Sequence, residues 1–219
     1  MNFYEYILFL LNNYNTYPYY YLIGTIVFIP DYDLIYIKQP KCAGTSFISM
    51  LNKYKIKYIS WVNPINNPKY LKFIQSIDNE YISKCKIITI SRNPYTRVKS
   101  AIKYIFNLRK LNYSNIPYNQ LFTKEYNGTQ ISDIHHWIPT NYITNNKNIF
   151  TDIYKYENLS NDLTVLFKKY FNIEIQNNNI CYDNANHNTT KSPLNNKQLN
   201  VLIEHYFKDE FDLFGYNYK

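Results

Sequence analysis

The chain twice shows the pattern of a buried strand, a polar loop and a helix, and this repeat constrains its fold more than any other feature. In the first unit, residues 34–37 form a compact apolar run and residues 39–44 are typical of a turn. The apolar residues that follow recur at i, i+3, i+4 and i+7, which indicates the buried face of a helix: Phe47, Met50, Leu51 and Tyr54. We expect Thr45 or Ser46 to cap this helix.

The second unit repeats the pattern about fifty residues later. Residues 86–90 form another short apolar run, and a polar loop at residues 91–94 follows it. Asn93 is a good N-cap and Pro94 suits the first helical position, so a helix is expected to begin there. Its apolar face is predicted to contain Val98, Ile102, Ile105 and Phe106.

Further elements of both kinds follow along the chain. Residues 150–156 predict a strand, and residues 211–216 form an aromatic tail that we expect to dock on the core. Two more amphipathic helices are indicated by helical spacing, first through Leu159, Leu163, Leu166, Phe167 and Tyr170, then through Leu199, Leu202, Ile203 and Tyr206. This alternation favours a three-layer α/β fold in which helices flank a central, mostly parallel sheet.

Length and composition favour one soluble globular domain. The 219 residues are 46% hydrophobic and 18% charged, which excludes wholesale disorder and fibrous repeats. No apolar run approaches the roughly 18 to 20 residues that a membrane span requires. We therefore expect a single domain over residues 1–219, without a transmembrane span, in a cytoplasmic protein. The three cysteines are scattered and have no CxxC spacing, so neither a disulfide framework nor a structural zinc is expected.

The net charge of +8 predicts attraction to anions. Charge alone does not choose between nucleic acid, an acidic polysaccharide, a membrane surface and a phosphorylated ligand. The basic residues are dispersed, with no long run of Lys or Arg, which disfavours nucleic acid.

The first loop has the residues of an anion site. It lies between a strand and a helix start, where free backbone N–H groups and the helix dipole favour negative charge. Gly44 allows close approach of the backbone, Thr45 and Ser46 offer hydroxyl donors, and Lys41 supplies a positive charge. The Walker A pattern GxxxxGK[ST] is absent, so a metal-bound nucleoside triphosphate is a less attractive ligand.

The second loop offers another anion site. Arg92 follows the strand, and Arg97 and Ser100 lie three residues apart on one helix. A guanidinium and a hydroxyl can together hold an oxyanion. Two such loops after two parallel strands imply a ligand with two phosphate-like groups at the carboxyl edge of the sheet.

These two loops resemble the motifs of a known enzyme family. Residues 36–46 and 91–100 are similar to the 5′-phosphosulfate loop and the 3′-phosphate motif of sulfotransferases that use 3′-phosphoadenosine 5′-phosphosulfate (PAPS). The carbohydrate sulfotransferase branch is the most similar, since its loop also reads PKCAGTS. Three weaker matches keep the same order along the chain, at residues 136–139 (HWIP), 156–159 (YENL) and 209–216 (DEFDLFGY).

The resemblance implies a P-loop-like sulfotransferase fold and a role for individual residues. Lys41 would neutralise the leaving oxygen of the donor, and Arg92 with Ser100 would bind the 3′-phosphate. Residues 34–106 would form the nucleotide-binding core and residues 107–148 the acceptor-facing region. The donor-binding residues implied in this way are Lys41, Cys42, Ala43, Gly44, Thr45, Ser46, Arg92, Ser100, Tyr156, Thr190 and Lys191, with no metal. Cys42 is interpreted as a small buried residue beside the phosphate.

Transfer of the sulfuryl group to a hydroxyl also requires a base, for which histidine is suited by its pKa. His136, in the HWIP match, is our choice, and His135 is the second. His187 lies in an Asn-rich segment, and His205 is interpreted as a surface or packing residue. Thr140 departs from the family, which has Gln after the HWxP element, and this leaves the acceptor contact at that point open.

The expected partners are PAPS, its product adenosine 3′,5′-bisphosphate, and a hydroxyl acceptor on a carbohydrate. Two alternatives stay open. One is a basic, aromatic-rich module that binds nucleic acid, and the other is a sulfotransferase-like protein that binds the nucleotide without turnover.

Overall fold

A computed structural model describes residues 5, 25–60, 72–73, 75–110, 149–176 and 197–219. The strands in these ranges are β1 (Ile26–Ile29), β2 (Leu34–Ile37), β3 (Ile59–Ser60), β4 (Lys86–Ser91) and β5 (Asp152–Lys155). The helices are α1 (Gly44–Lys53), α2 (Asn79–Lys84), α3 (Pro94–Arg109), α4 (Leu159–Phe171), α5 (Lys197–Tyr206) and α6 (Lys208–Phe214). Short 3₁₀ turns span Pro30–Tyr32 and Tyr156–Asn158.

The five strands form one sheet in the order β3-β1-β2-β4-β5. β2 pairs with β4 in parallel, with Ile37 opposite Thr89, and β4 pairs with β5 in parallel, with Ser91 opposite Lys155. β1 is antiparallel to both β2 and β3. The expectation of an α/β sheet flanked by helices is confirmed, but the sheet is mixed, since two of its four pairings are antiparallel. The loops after β2, β4 and β5 leave the sheet at the same edge.

One face of the sheet carries the larger apolar cluster, to which α1 and α4 contribute. The side chains expected from helical spacing are buried here, among them Phe47, Met50 and Leu51 of α1, each with no exposed surface. From α4 come Leu159, Leu163, Leu166, Phe167 and Phe171. Ile88 and Ile90 of β4 point into the same cluster.

A second apolar cluster joins α3 to the C-terminal helices. It contains Val98, Ile102 and Phe106 of α3, together with Leu199, Ile203, Phe207 and Phe211. Tyr216 packs against this cluster and contacts Ser91, whose side chain alternates in direction with that of Ile90. The second cluster therefore lies on the opposite side of the sheet from the first, and the predicted docking of the aromatic tail is confirmed.

Helix starts differ in how well the sequence predicts them. The Asn93 Oδ1 atom accepts from the amide of Tyr95 at 3.0 Å and Pro94 begins α3, both as expected. The residue at the N-cap of α1 is Ala43, with φ 60°, and no side chain caps the helix, so the expectation for Thr45 or Ser46 is wrong. Both lie inside the helix because the left-handed backbone at Ala43 starts it two residues earlier than a Thr45 cap would and three earlier than a Ser46 cap would.

No helix within the described ranges is long and apolar enough to cross a membrane.

Candidate anion-binding site

Buried hydrogen bonds attach the loop after β2 to the sheet. Gln39 is 1% exposed, and its Nε2 donates to Oγ1 of Thr89 at 3.1 Å. The same Thr89 hydroxyl donates to the carbonyl of Ile37 at 2.8 Å. Because Thr89 lies on β4, these bonds tie the first loop to the strand that precedes the second loop.

The backbone of this loop brings free amide groups to its surface. Lys41 and Ala43 have left-handed φ angles of 64° and 60°, and the amide of Phe47 makes the first helical bond, to the carbonyl of Ala43 at 3.0 Å. The amides of residues 44–46 precede that bond and have no partner within the helix. This arrangement, at the positive end of the α1 dipole, suits an anion.

Lys38 adds a charge that the sequence did not indicate. A Cβ atom added at Gly44 would lie 2.4 Å from Cγ of Lys38, so the lysine stem crosses the start of α1 in the space that this glycine leaves. Burial lowers the pKa of Lys38, and no acidic side chain of the described residues pairs with it. An anion bound at the start of α1 would relieve this unbalanced positive charge.

Lys41 lies on the other side of the loop, against α3. Its Nζ is 4.0 Å from the centre of the Tyr104 ring. Burial, and then the nearby guanidinium of Arg92, lower the pKa of Lys41. The ammonium is thus partly desolvated and close to a second positive charge, which are conditions that favour binding of an anion.

Arg92 is held in place by three contacts. Its Nη1 donates to the carbonyl of Lys41 and its Nε donates to Oγ1 of Thr96, each at 3.1 Å. The guanidinium carbon lies 4.0 Å from the centre of the Tyr156 ring. Residues that follow β2, β4 and β5 therefore meet at this one side chain, which brings the two predicted anion-binding loops into contact.

Ser100 lies on the face of α3 that both basic side chains touch. Thr96, Ser100 and Tyr104 are spaced four residues apart and share that face. Arg92 contacts the first of them and Lys41 the third, so the half-buried Ser100 lies between the two contacts. The spacing from Ser100 was the signal that could have found Thr96 and Tyr104.

Arg97 does not contribute to the second anion site, so the expectation that its guanidinium lies there with Arg92 and Ser100 is wrong. Its side chain is 0% exposed, and its Nη2 donates to both carboxylate oxygens of Glu210 at 2.8 Å. Its guanidinium carbon also lies 4.9 Å from the centre of the Phe207 ring. The helix turns this arginine toward α6, away from the surface that carries Ser100.

Cys42 has no polar group free for a ligand at its amide or thiol. Its amide donates to the carbonyl of Gln39 at 3.3 Å, and its side chain is fully buried. Burial raises the pKa of the thiol to about 12, so it stays protonated at neutral pH. These facts agree with its interpretation as a small buried residue and leave it a packing role in the loop.

Some predicted site residues lie outside the described ranges: His135, His136, His187, Thr190 and Lys191. Of the histidines, the structure describes His205, which is exposed on α5 and whose ring lies 5.0 Å from that of Tyr206. That placement fits the surface role expected for it. Within the described ranges, no group of three His, Cys, Asp or Glu side chains is arranged to hold a metal ion.

Comparisons of this chain with protein-family models, with curated proteins and with solved structures gave no match.

Proposed function

We propose that this protein is a sulfotransferase that moves the sulfuryl group of PAPS to an acceptor hydroxyl, on a carbohydrate. The observation that carries the proposal is the meeting of Lys41 and Arg92, from loops after adjacent parallel strands, at one edge of the sheet. The motif resemblance assigns these two residues to the 5′ and 3′ ends of one nucleotide, and a shared edge is what such a ligand requires.

The free amides at the start of α1, with Lys38 and Lys41 on either side, would receive the 5′-phosphosulfate. The guanidinium of Arg92 and the hydroxyl of Ser100 would receive the 3′-phosphate. The Tyr156 ring, which already stacks on Arg92, would border the adenine. A ligand that satisfies both ends must carry two anionic groups, which separates PAPS from its precursor without the 3′-phosphate.

The reaction forms a bond from the acceptor oxygen to sulfur and breaks the bond from sulfur to the 5′-phosphate oxygen. Negative charge builds on that leaving oxygen, and the ammonium of Lys41 would stabilise it. The proton of the acceptor hydroxyl would pass to His136, or to His135 if the first choice is wrong. Positioning and electrostatics supply most of the acceleration in the analogous phosphoryl transfers.

The test is calorimetric titration with adenosine 3′,5′-bisphosphate. We expect Lys41→Ala and Arg92→Ala each to weaken binding by about tenfold or more, since hydrogen bonds to charged groups contribute about 1.5–3 kcal/mol. Lys86→Ala is the matched control, because Lys86 is an exposed lysine at the opposite end of β4. If both site variants bind like the control, the proposed site is wrong.

Sulfation assayed with labelled PAPS and a panel of glycan acceptors tests turnover. Transfer that depends on Lys41 supports an enzyme. Tight bisphosphate binding with no single-turnover sulfation would indicate a nucleotide-binding protein instead.

A further inference from the structure

We propose that Glu157 and Tyr216 are positioning residues that hold Arg92 where it can receive a 3′-phosphate. The inference rests on the proposed function and adds to it the basis of selectivity for a 3′-phosphorylated nucleotide. Neither side chain needs to touch the ligand for this role.

Glu157 connects the third loop to the second. Its Oε1 accepts from the backbone amide of Asn93, and its Oε2 accepts from the hydroxyl of Tyr216, both at 2.9 Å. Asn93 directly follows Arg92 and caps α3. Tyr156, the neighbour of Glu157, stacks on the Arg92 guanidinium. After β5, Tyr156 thus contacts the side chain of Arg92, and Glu157 binds the backbone amide of the next residue, Asn93.

Tyr216 holds the residue on the other side of Arg92. Its hydroxyl accepts from Oγ of the fully buried Ser91 at 3.1 Å, and the carbonyl of Tyr154, 3.3 Å from the same Oγ, is the alternative acceptor for that proton. Burial raises the pKa of Tyr216 well above its usual value, so the hydroxyl keeps its proton and can donate to Glu157. Both chain neighbours of Arg92 are therefore fixed by one network that begins in the C-terminal segment.

The orientation of Arg92 should affect how well the site recognises a 3′-phosphate. A bidentate contact between guanidinium and phosphate depends strongly on orientation, whereas the loop that presents the free amides of α1 is also fixed by the buried bonds of Gln39 and Thr89. Loosening the network should weaken binding of the 3′-phosphate and spare binding at the 5′ end. Glu157 carries a negative charge that would repel a phosphate, so it is unsuited to contact the ligand itself.

The experiment compares the affinities of two probes, adenosine 3′,5′-bisphosphate and adenosine 5′-phosphate, in Tyr216→Phe and Glu157→Gln. We expect each variant to lose about fivefold to tenfold in affinity for the bisphosphate and less than about twofold for the monophosphate. Tyr216→Phe is the more informative, because it leaves the net charge unchanged. Tyr218→Phe is the matched control, since among the described residues that hydroxyl bonds to the Lys208 carbonyl and Asp212, both in α6.

Equal losses for both probes would show general structural support and overturn the inference, as would unchanged affinity for both. Arg92→Ala separates this failure from failure of the proposed function. If Arg92→Ala removes the preference for the bisphosphate and Tyr216→Phe does not, only the positioning role is wrong. If Arg92→Ala leaves the preference intact, the site itself is wrong and the positioning role with it.

Discussion

At the scale of single residues, the surroundings of Lys41 disfavour its protonated, charged form. The ammonium lies on the Tyr104 ring, partly removed from water, and near the guanidinium of Arg92. Both burial and that guanidinium lower its pKa, and burial does the same at Lys38. Two lysines with lowered pKa values flank the proposed position of the 5′-phosphosulfate.

The lowered pKa of Lys41 predicts the pH dependence of bisphosphate binding. A lysine attracts an anion only when protonated, so affinity is full below its pKa and falls as the pH rises through it. Because that pKa is lowered, the fall should begin below the ordinary lysine value of about 10.4. In Lys41→Arg, whose guanidinium stays protonated, we expect the fall to move to higher pH.

Titrations from about pH 7 to about pH 10 would measure this, with Lys86→Arg as the control for added guanidinium. Superimposable curves for the wild type and Lys41→Arg would show that Lys41 does not govern the alkaline fall. Lys38→Arg then tests whether the other lysine does.

The sequence predicted which residues lie near one another better than it predicted which way their side chains point. Lys41, Arg92 and Ser100 were named from their motifs, and the structure brings them to one surface. Arg97 was misassigned because helical spacing relates residues to one another and does not say which side faces the core. It lies four residues before the buried Ala101, a spacing that places it beside the packed face. Lys38 gave no signal, since lysine is common in this chain.

At the scale of elements, α3 is attached to α6 by the buried ion pair of Arg97 and Glu210. Both side chains are at most 1% exposed. Removing one partner of such a pair leaves an uncompensated charge in the protein interior, whereas removing both does not. The two cases therefore predict different losses of stability.

We expect Arg97→Ala or Glu210→Ala to lower the free energy of unfolding by about 3–5 kcal/mol. Replacing both together, as Arg97→Met with Glu210→Leu, should cost less than either single change. Urea denaturation measures these values, and Glu80→Ala is the control because its pair with Lys84 is exposed and contributes about 0.3–0.5 kcal/mol. A double variant as unstable as the sum of the single variants would contradict the expectation.

Helices α1, α3, α4 and α5 were predicted because one periodic face suffices to indicate them, whereas the short helices α2 and α6 were not predicted. Strand β1 was not predicted, since its four apolar residues do not distinguish a strand from another buried element. The partner of Arg97 lies 113 residues away along the chain, and no local pattern indicates a contact of that kind.

At the scale of the whole molecule, the two loops of the candidate site connect to different apolar clusters. The first loop leads into α1, which belongs to the larger cluster, and the second leads into α3, which belongs to the other. A ligand held by both loops should therefore stabilise the two layers together.

Thermal denaturation and hydrogen exchange, each with and without adenosine 3′,5′-bisphosphate, test this. At about 100 times its dissociation constant, the nucleotide should stabilise the fold by about 2.7 kcal/mol and raise Tm by about 5 to 10 °C. Amides in α4 and α6, far along the chain from the motifs, should slow in exchange as well. Protection confined to the two loops would mean that the layers do not unfold as one unit.

The parallel half of the sheet was predictable from the repeated units, since strand, loop and helix connections normally join parallel neighbours. The antiparallel half was not, because the pairing of β1 and β3 is set by contacts between distant segments. His136, the proposed base, lies outside the described ranges.

The backbone angles of the first loop limit the shapes that it can take. Lys41 and Ala43 adopt left-handed angles that glycine reaches more easily. A glycine there would sample many shapes between encounters with a nucleotide, whereas these two residues have few alternatives once the chain has folded. The entropy of shaping the loop is thus lost once, during folding, and a nucleotide bound as proposed would meet a preorganised cradle.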